Sequence, residues 1–369
     1  MTIPQNLFAR SLIFSLCLIT IPLVSFAERA NLDTVYTMSN AVDGNRVLVF
    51  SRNAAGGLKS AGSFPTGGFG TGAVLGSQGA LAMTRDGHWL LAVNAASNEV
   101  SVFSVSDDVL VLTDVVPSGG RQPISVTVDA NLVYVLNAGG AVGGSDNIAG
   151  FYLSDRGRLT ALPGSTQPLS AANTGPAQIN FALSGDQLVV TEKITSLIDQ
   201  FAVDDKGVAG ALHISASSGA TPFGFAVSRN GVLFVSEAPG SALSSYQLHG
   251  DATLSWVTGS LANHQAAACW VALSKNERFA YTANAASNTI SGYKIAADGS
   301  LTLLATSGLT GLADNHPLDL DVTGDGRFLY SLAANSQTIV GFRIGADGSL
   351  SRVSDVGGLP VGGSGLVAR

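Results

Sequence analysis

A short pattern recurs seven times along this chain of 369 residues. In each copy, β-forming residues lead to one aromatic residue, which is followed two positions later, in most copies, by an aliphatic one. The aromatic residues are Phe50, Phe103, Phe151, Phe201, Tyr246, Tyr293 and Phe342, with gaps of 53, 48, 50, 45, 47 and 49 residues between them. A period of about fifty residues accommodates four short strands and their turns, the size of one propeller blade. The sequence therefore predicts an all-β, seven-bladed β-propeller with four-stranded antiparallel blades.

The turn residues predict which connections share a face of the propeller. Asp86-Gly87 lies between a predicted first and second strand, and Asp298-Gly299 lies between a predicted third and fourth strand. Such dipeptides favour positive φ and predict tight primed hairpin turns. Both kinds of turn must lie on one face, here called the hairpin face. The longer connections, at residues 60–77, 138–146 and 163–175, then lie on the opposite, long-loop face, where function is more often found.

The two ends of the chain contain complementary parts of one blade. The first repeat has no first strand before Tyr36, whereas the C-terminal sequence GGSGLVA resembles GSQGALA at the first-strand position of the next repeat. A strand from each terminus would close the ring and remove exposed sheet edges. We expect a single propeller domain over residues 28–369.

The N-terminal 27 residues are predicted to be a secretory signal peptide. Arg10 precedes an apolar run at residues 11–26, and Ser25-Phe26-Ala27 suits cleavage after Ala27. We therefore expect a secreted or periplasmic protein. The net charge of −7 and the absence of a Lys/Arg cluster argue against nucleic acid and membrane as partners. We expect a monomer that binds a small molecule.

Three sequence segments carry a family resemblance: DGRFLY, AASNTISGYKIAADGSLTLL and IVGFRIGADGSL. They resemble the lactonase family of seven-bladed propellers, which includes a bacterial type of 6-phosphogluconolactonase and fungal carboxymuconate-lactonising enzymes. The resemblance implies hydrolysis of a lactone, or interconversion of a lactone and its open acid. Active members tend to place histidines early in several first strands. Here the corresponding stretches contain none, and only His316-Pro317 comes near.

Two glutamates are candidate catalytic residues. Glu192 and Glu237 follow apolar second strands in successive repeats, at the point where the chain turns into the long-loop face. Paired carboxylates near the channel mouth could act as general acid and base, and replacing either with Gln should then abolish activity and leave the fold intact. The alternative interpretation is a pair of solvated loop carboxylates.

Residues near the starts of first strands complete the predicted site. His316 is the candidate general base among the histidines, and Gln178, Lys193 or Arg121 could polarise a carbonyl group. Phe223 and Trp270 are expected in the pocket wall, where the indole ring could stack on a ligand. We interpret Cys269 as a buried, unreactive thiol. The pocket is expected on the long-loop face around the central channel.

A second function remains open. The missing first-strand histidines favour a non-catalytic propeller that binds a small ligand or a protein partner, since propellers carry many unrelated functions. No cofactor is expected, although a divalent cation in the central channel stays possible at this stage.

Overall fold

The structure is a computed structural model that describes residues 1–2, 34–106 and 109–369. Residues 32–369 form one compact unit. The predicted signal peptide falls almost entirely outside the described residues, so it and the domain boundary at residue 28 stay predictions. Within the described ranges, no helix has the length and apolar character needed to cross a bilayer.

Seven antiparallel sheets, one per blade, are formed by the described residues, which confirms the predicted fold. The strands of the first four blades, each from the channel outward, are β30 (Ser364–Ala368), β1 (Thr34–Met38), β2 (Arg46–Arg52) and β3 (Leu58–Pro65); β4 (Leu81–Met83), β5 (Trp89–Asn94), β6 (Glu99–Ser106) and β7 (Val109–Pro117); β8 (Pro123–Asp129), β9 (Leu132–Ala138), β10 (Asp146–Leu153) and β11 (Leu159–Ala161), with β12 (Gln167–Pro168) also on β10; and β13 (Pro176–Ala182), β14 (Gln187–Glu192), β15 (Leu197–Val203) and β16 (Ala209–Ala216).

The last three blades follow the same order. Their strands are β17 (Pro222–Val227), β18 (Val232–Glu237), β19 (Ala242–Leu248) and β20 (Leu254–Ala262); β21 (Ala268–Leu273), β22 (Phe279–Asn284), β23 (Thr289–Ile295) and β24 (Leu301–Leu303), with β25 (Gly311–Leu312) also on β23; and β26 (Pro317–Val322), β27 (Phe328–Ala333), β28 (Thr338–Ile344) and β29 (Leu350–Val356). Two 3-10 helices, Gly139–Val142 and Leu183–Gly185, lie in the connections.

The repeated aromatic residues are core residues. All seven members of the third-strand column are buried, with at most 4% of their surface exposed. Tyrosines of the second strands fix the spacing between blades: the hydroxyl of Tyr134 donates to Gly207 O at 2.7 Å, and that of Tyr330 donates to Gly56 O at 2.7 Å. Both acceptors lie in the third-to-fourth strand turn of the following blade. The period of the sequence therefore reflects blade-on-blade packing.

The turns of the hairpin face differ in type from the prediction. Gly87 has a φ of 72°, but Asp86 does not have a positive φ. The primed turn needs two such residues. Instead, Gly87 N–H donates to Thr84 O, and Thr84 N–H donates to Trp89 O. The hydroxyl of Thr84 also donates to the Asp86 carboxylate at 2.6 Å. The turn at residues 84–89 thus holds four residues, is closed by the threonine and aspartate side chains, and has left-handed backbone at Gly87 alone.

Strands from both ends of the chain close the ring, as predicted. β30 is the innermost strand of the first blade and pairs antiparallel with β1, from Val35 opposite Ala368 to Met38 opposite Ser364. The hydroxyl of Thr37 adds a bond to Gly365 O at 2.6 Å. Leu366 and Ala368 are buried between this blade and its neighbours.

Deletion of residues 362–369 should destabilise the protein strongly. The deletion removes β30, exposes the inner edge of β1 and uncovers apolar surface worth roughly 5 kcal/mol. Urea denaturation would measure the loss, and deletion of Arg369 alone serves as the control. Equal midpoints for the two truncations would contradict the closing role of β30.

Candidate functional site

A cavity of about 840 Å³ occupies the channel around the propeller axis. Its wall is built from innermost strands and from first-to-second strand turns, including Arg85, Ser184, Arg229 and Lys275. Those turns belong to the hairpin face, so the cavity lies at the opposite end of the channel from the expected pocket. Of the residues predicted for the site, Gln178 lines it.

Two aspartates of the innermost strand β26 have pKa values well above the ordinary value of an aspartate. Asp319 and Asp321 alternate with apolar residues, so both side chains point to the same side of the strand, and both line the cavity. Asp319 is 3% exposed. Burial raises its pKa to about 7, against the opposing effect of backbone N–H donors. Burial likewise raises the pKa of Asp321 to about 6.

The same aspartates hold the closing strand. Asp319 accepts a hydrogen bond from Gly365 N–H at 2.8 Å and a longer one from Gly79 N–H at 3.4 Å. Asp321 accepts from Ala368 N–H at 2.9 Å and from Val322 N–H at 2.8 Å. Two of these four donors belong to β30. Strand β26 therefore both holds the closing strand β30 and contributes two carboxyl groups to the wall of the cavity.

Gln78 crosses the channel. Its side chain donates to Val271 O at 2.8 Å and accepts from Val271 N–H at 3.0 Å, and its backbone N–H donates to Ala177 O at 3.0 Å. These contacts join the second, fourth and sixth blades. Gln178 makes a similar bridge, because its side-chain oxygen accepts from Phe225 N–H at 2.7 Å in the next blade. The two glutamine side chains thus connect different blades by hydrogen bonds near the propeller axis.

The aromatic cluster Lys193–Phe223–Trp270 lies on the long-loop side of Gln78. The ammonium of Lys193 lies 4.8 Å from the centre of the Phe223 ring and donates to Gly76 O at 2.6 Å. The Phe223 and Trp270 rings are 5.0 Å apart, and the indole N–H donates to Ser77 O at 2.9 Å. These three predicted ligand-binding residues do come together, but they clamp residues 76 and 77 of the connecting loop.

The electrostatics of the aromatic cluster follow from burial. Burial lowers the pKa of Lys193 to about 8, with smaller opposing effects from Cys269 and Asp146. Burial also raises the pKa of the Cys269 thiol to about 12, despite the nearby Lys193 cation. A thiol with this pKa is protonated at neutral pH and is a poor nucleophile. The structure is thus consistent with the unreactive Cys269 expected from the sequence.

Glu192 lies fully buried at the end of β14 and does not line the axial cavity. It accepts hydrogen bonds from the backbone N–H of Ser170 at 3.0 Å and from the hydroxyls of Ser170 and Thr195, each at 2.5 Å. The carboxyl beside it is that of Asp199, on the adjacent strand. Burial first, and then the hydrogen bond to Glu192, raise the pKa of Asp199 to about 9. Asp199 is therefore protonated at neutral pH.

Glu237 is also fully buried, in a cage of serine hydroxyls. It accepts from Gly219 N–H at 2.8 Å and from the Ser244 hydroxyl at 2.6 Å, and it contacts the Ser260 hydroxyl closely. This network ties the end of β18 to the loop before β17 and to β19 and β20. The alternative interpretation, a pair of solvated loop carboxylates, is wrong, because both side chains are fully buried.

The structure does not gather the predicted catalytic residues into one cluster. His316 is partly exposed and has a φ of 61°, and its backbone N–H donates to Asn288 Oδ1 at 2.9 Å. The side chain of Arg121 donates to Val142 O at 3.3 Å in the third blade. Glu192 and Glu237 occupy separate hydrogen-bond networks in the fourth and fifth blades.

Asp319, Asp321 and Gln78 were not selected from the sequence. A signal was present for the aspartates, since LDLDV places two acids on one side of a predicted first strand, where the other repeats carry mainly apolar residues. Gln78 gives no such signal, because its partner Val271 is 193 residues away. Among the described residues, no group of three or more His, Cys, Asp or Glu side chains is placed to hold a metal ion.

The fold and the axial cavity define a seven-bladed propeller with a polar channel. The sequence model of the family "Lactonase, 7-bladed beta-propeller" matches residues 242–364, and this confirms the resemblance to the lactonase family. No curated protein matches the chain in sequence.

Solved structures share the fold at low sequence identity. The periplasmic gluconolactonase PpgL of Pseudomonas aeruginosa is 14% identical, with a TM-score of 0.73 over 91% of this chain and 98% of its own. A candidate 6-phosphogluconolactonase of Bacteroides uniformis is 18% identical, with a TM-score of 0.71 over 92% of this chain and 100% of its own. A Lactobacillus plantarum protein is 17% identical, with a TM-score of 0.72 over 91% and 99% of the two chains.

Substitution Glu237→Gln should lower stability by about 1–3 kcal/mol. The amide would place an N–H donor among the donors of the cage, leaving buried groups unsatisfied. Thermal unfolding would measure the change. The matched control is Glu99→Gln, at a partly exposed strand start. A variant as stable as this control would contradict the anchoring role of Glu237.

Asp199 should make stability depend on pH. Because its folded pKa is about 9 and its ordinary value is 3.8, its contribution is fully present below pH 4 and is lost as the pH rises toward 9. The expected slope is up to about 1.4 kcal/mol per pH unit. Asp199→Asn carries no ionisable group at this position and should remove this slope in urea denaturation between pH 5 and 9. Parallel profiles for the variant and the wild type would contradict the raised pKa of Asp199.

Proposed function

We propose that the chain hydrolyses a lactone in the axial cavity, with Asp319 and Asp321 as catalytic residues. The observation that carries the proposal is this pair of carboxyl groups, both lining the cavity and both with a pKa raised toward neutrality. Perturbed acids in a concave polar site are the usual mark of catalytic groups. The match of residues 242–364 to the lactonase family model supports the choice of reaction.

The spacing of the two acids suits a water molecule between base and substrate. Residues two apart on a strand are separated by about 6.6 Å. Asp321 is the more exposed of the pair and has the lower pKa, so at neutral pH it is the carboxylate that takes a proton from water. The water oxygen then bonds to the lactone carbonyl carbon. Asp319, with a pKa of about 7, retains a proton for the departing ring oxygen.

A donor for the carbonyl oxygen is available in the same wall. Asn180 lines the cavity, and its side-chain oxygen accepts from the Thr127 hydroxyl at 2.8 Å. That bond orients the amide so that its N–H₂ group can donate to a substrate. The reaction is balanced: one water is added, the acyl C–O bond of the ring breaks, and a hydroxy acid leaves. Export of the protein remains part of the proposal and would place this reaction outside the cytoplasm.

The second candidate function is ligand binding without catalysis. The hydrogen bonds from Gly365, Ala368 and Val322 to the two aspartates favour it, because they give the pair a structural task. The predicted site on the long-loop face would serve this function through the aromatic cluster Lys193–Phe223–Trp270. Glu192, Glu237 and His316 would then act in positioning the surrounding loops.

Substitution Asp321→Asn should reduce kcat for δ-gluconolactone at least 100-fold, since a positioned general base contributes about 10²–10⁴-fold. In the wild type, kcat/KM should rise with pH through about 6, as Asp321 loses its proton, and fall through about 7, as Asp319 loses its proton. The variant should lose the rising limb. A stopped-assay pH series corrected for spontaneous hydrolysis would measure both.

Asp314→Asn is the control, because this carboxylate binds Arg352 on the outside of the last blade. Thermal unfolding of both variants separates lost chemistry from lost folding. Turnover by a folded Asp321→Asn protein at the wild-type rate would refute the proposed base. Binding of the lactone without turnover by the wild type would favour the second candidate.

A further inference from the structure

The closing strand β30 is held in different ways on its two sides. On one side its backbone pairs with that of β1 in the first blade. On the other side it meets β26 of the last blade, which belongs to a different sheet, and here side chains make the hydrogen bonds. Asp319 accepts from Gly365 N–H at 2.8 Å, and Asp321 accepts from Ala368 N–H at 2.9 Å. Because these amides lie near opposite ends of the five-residue strand, the two carboxyl groups fasten its whole length to the last blade.

Few charges surround the two carboxyl groups. Lys275, in the turn after β21, favours the ionised form of Asp321 but is itself exposed to solvent, and ionised Asp321 disfavours the ionised form of Asp319. No other charged residue occurs in β21, β26, β27 or β30 or in residues 77–83, and β30 is followed by Arg369 with its terminal carboxylate. The other charged residues that line the cavity are Arg85, Asp129, Arg229 and Glu277, all outside these strands. The cost of ionising the pair is therefore mainly one of lost solvation.

This cost depends on whether β30 is in place. At the closed junction, desolvation raises the pKa of Asp319 to about 7 and that of Asp321 to about 6. Detachment of β30 from β26 would admit water to both groups, and their pKa values would fall toward the ordinary value of 3.8. Because the closed junction has the higher pKa values, closure is most favourable below pH 4 and weakens as the pH rises through 6 and 7.

We propose that Asp319 and Asp321 form a proton-controlled latch, which holds β30 against β26 while the carboxyl groups are protonated and releases it more readily when they ionise. Leu366 and Val367 of β30 line the axial cavity, so release of the strand changes the wall of that cavity. The latch goes beyond the proposed reaction and does not depend on it, since it concerns the closure of the ring.

Hydrogen exchange of the full chain, resolved to single amides by NMR, tests the latch. The amides of Gly365 and Ala368 report on it directly, because their hydrogens are the ones bonded to the two carboxyl groups. After correction for the intrinsic exchange rate, their protection should fall about tenfold or more between pH 5 and pH 7 and level off above pH 7. At pH 8 both amides should be less protected than those of β18, because release of β30 leaves the fifth blade intact.

Two double variants separate the latch from other effects of pH. Asp319→Asn/Asp321→Asn keeps an oxygen acceptor for each amide and removes both titrations, so the corrected protection of Gly365 and Ala368 should no longer change with pH. Asp298→Asn/Asp347→Asn is the matched control, because it removes two exposed carboxylates from hairpin turns of outer strands. This control should keep the wild-type dependence.

Each outcome decides the proposal. Protection that is constant with pH in the wild type, or that falls equally in the wild type and Asp319→Asn/Asp321→Asn, overturns the latch. Equal protection of β30 and β18 at pH 8 also overturns it, because the strand would then be released only by global unfolding. If the double variant does not fold, the single variant Asp321→Asn replaces it. This variant should halve the wild-type slope of protection against pH below pH 6, and an unchanged slope overturns the latch.

Discussion

The hydrogen bonding of β30 is the interaction on which the rest of the molecule depends. In a ring of seven sheets, the inner edge of the first blade stays unpaired unless the last strand of the chain reaches it, and here β30 does so through its pairing with β1. On its other side, Asp319 and Asp321 of the last blade accept from its backbone N–H groups. Closure therefore buries two carboxyl groups at the junction of the first and last blades. The resulting cost in desolvation is also what raises their pKa values toward neutrality.

The fold could be predicted because its signal is repeated and local. The seven repeated aromatic residues, from Phe50 to Phe342, occupy the same packing position in successive blades, and a repeat of that period has few alternative folds. The closing strand was predictable for a related reason: the first repeat lacked a strand that the C-terminal residues could supply. The turn type was not, because Thr84 and Asp86 close the turn with their side chains, and the dipeptide Asp-Gly does not show this.

The candidate site was harder to predict because it depends on contacts across the ring. Gln78 contacts Val271, and Asp319 contacts Gly365. The two residues of each pair are far apart in the sequence, so no local pattern encodes these contacts. Glu192 and Glu237 stood out as carboxylates beside apolar strands, and the structure does bury them. What the sequence could not show was their partners. Ser170 and Gly219 lie in the loops before β13 and β17, the first strands of the same blades, so each carboxylate fastens its long loop to the blade.

The position of Gln78 determines how molecules can enter and leave the central channel. A propeller channel is in principle a passage with two entrances, yet this side chain and residues 76 and 77, clamped by Trp270 and Lys193, lie across it. The turns that line the cavity belong to the hairpin face, so a molecule would enter from that face. In the proposed reaction, a product and the next substrate would therefore use the same entrance, which is lined by Arg85, Arg229 and Lys275.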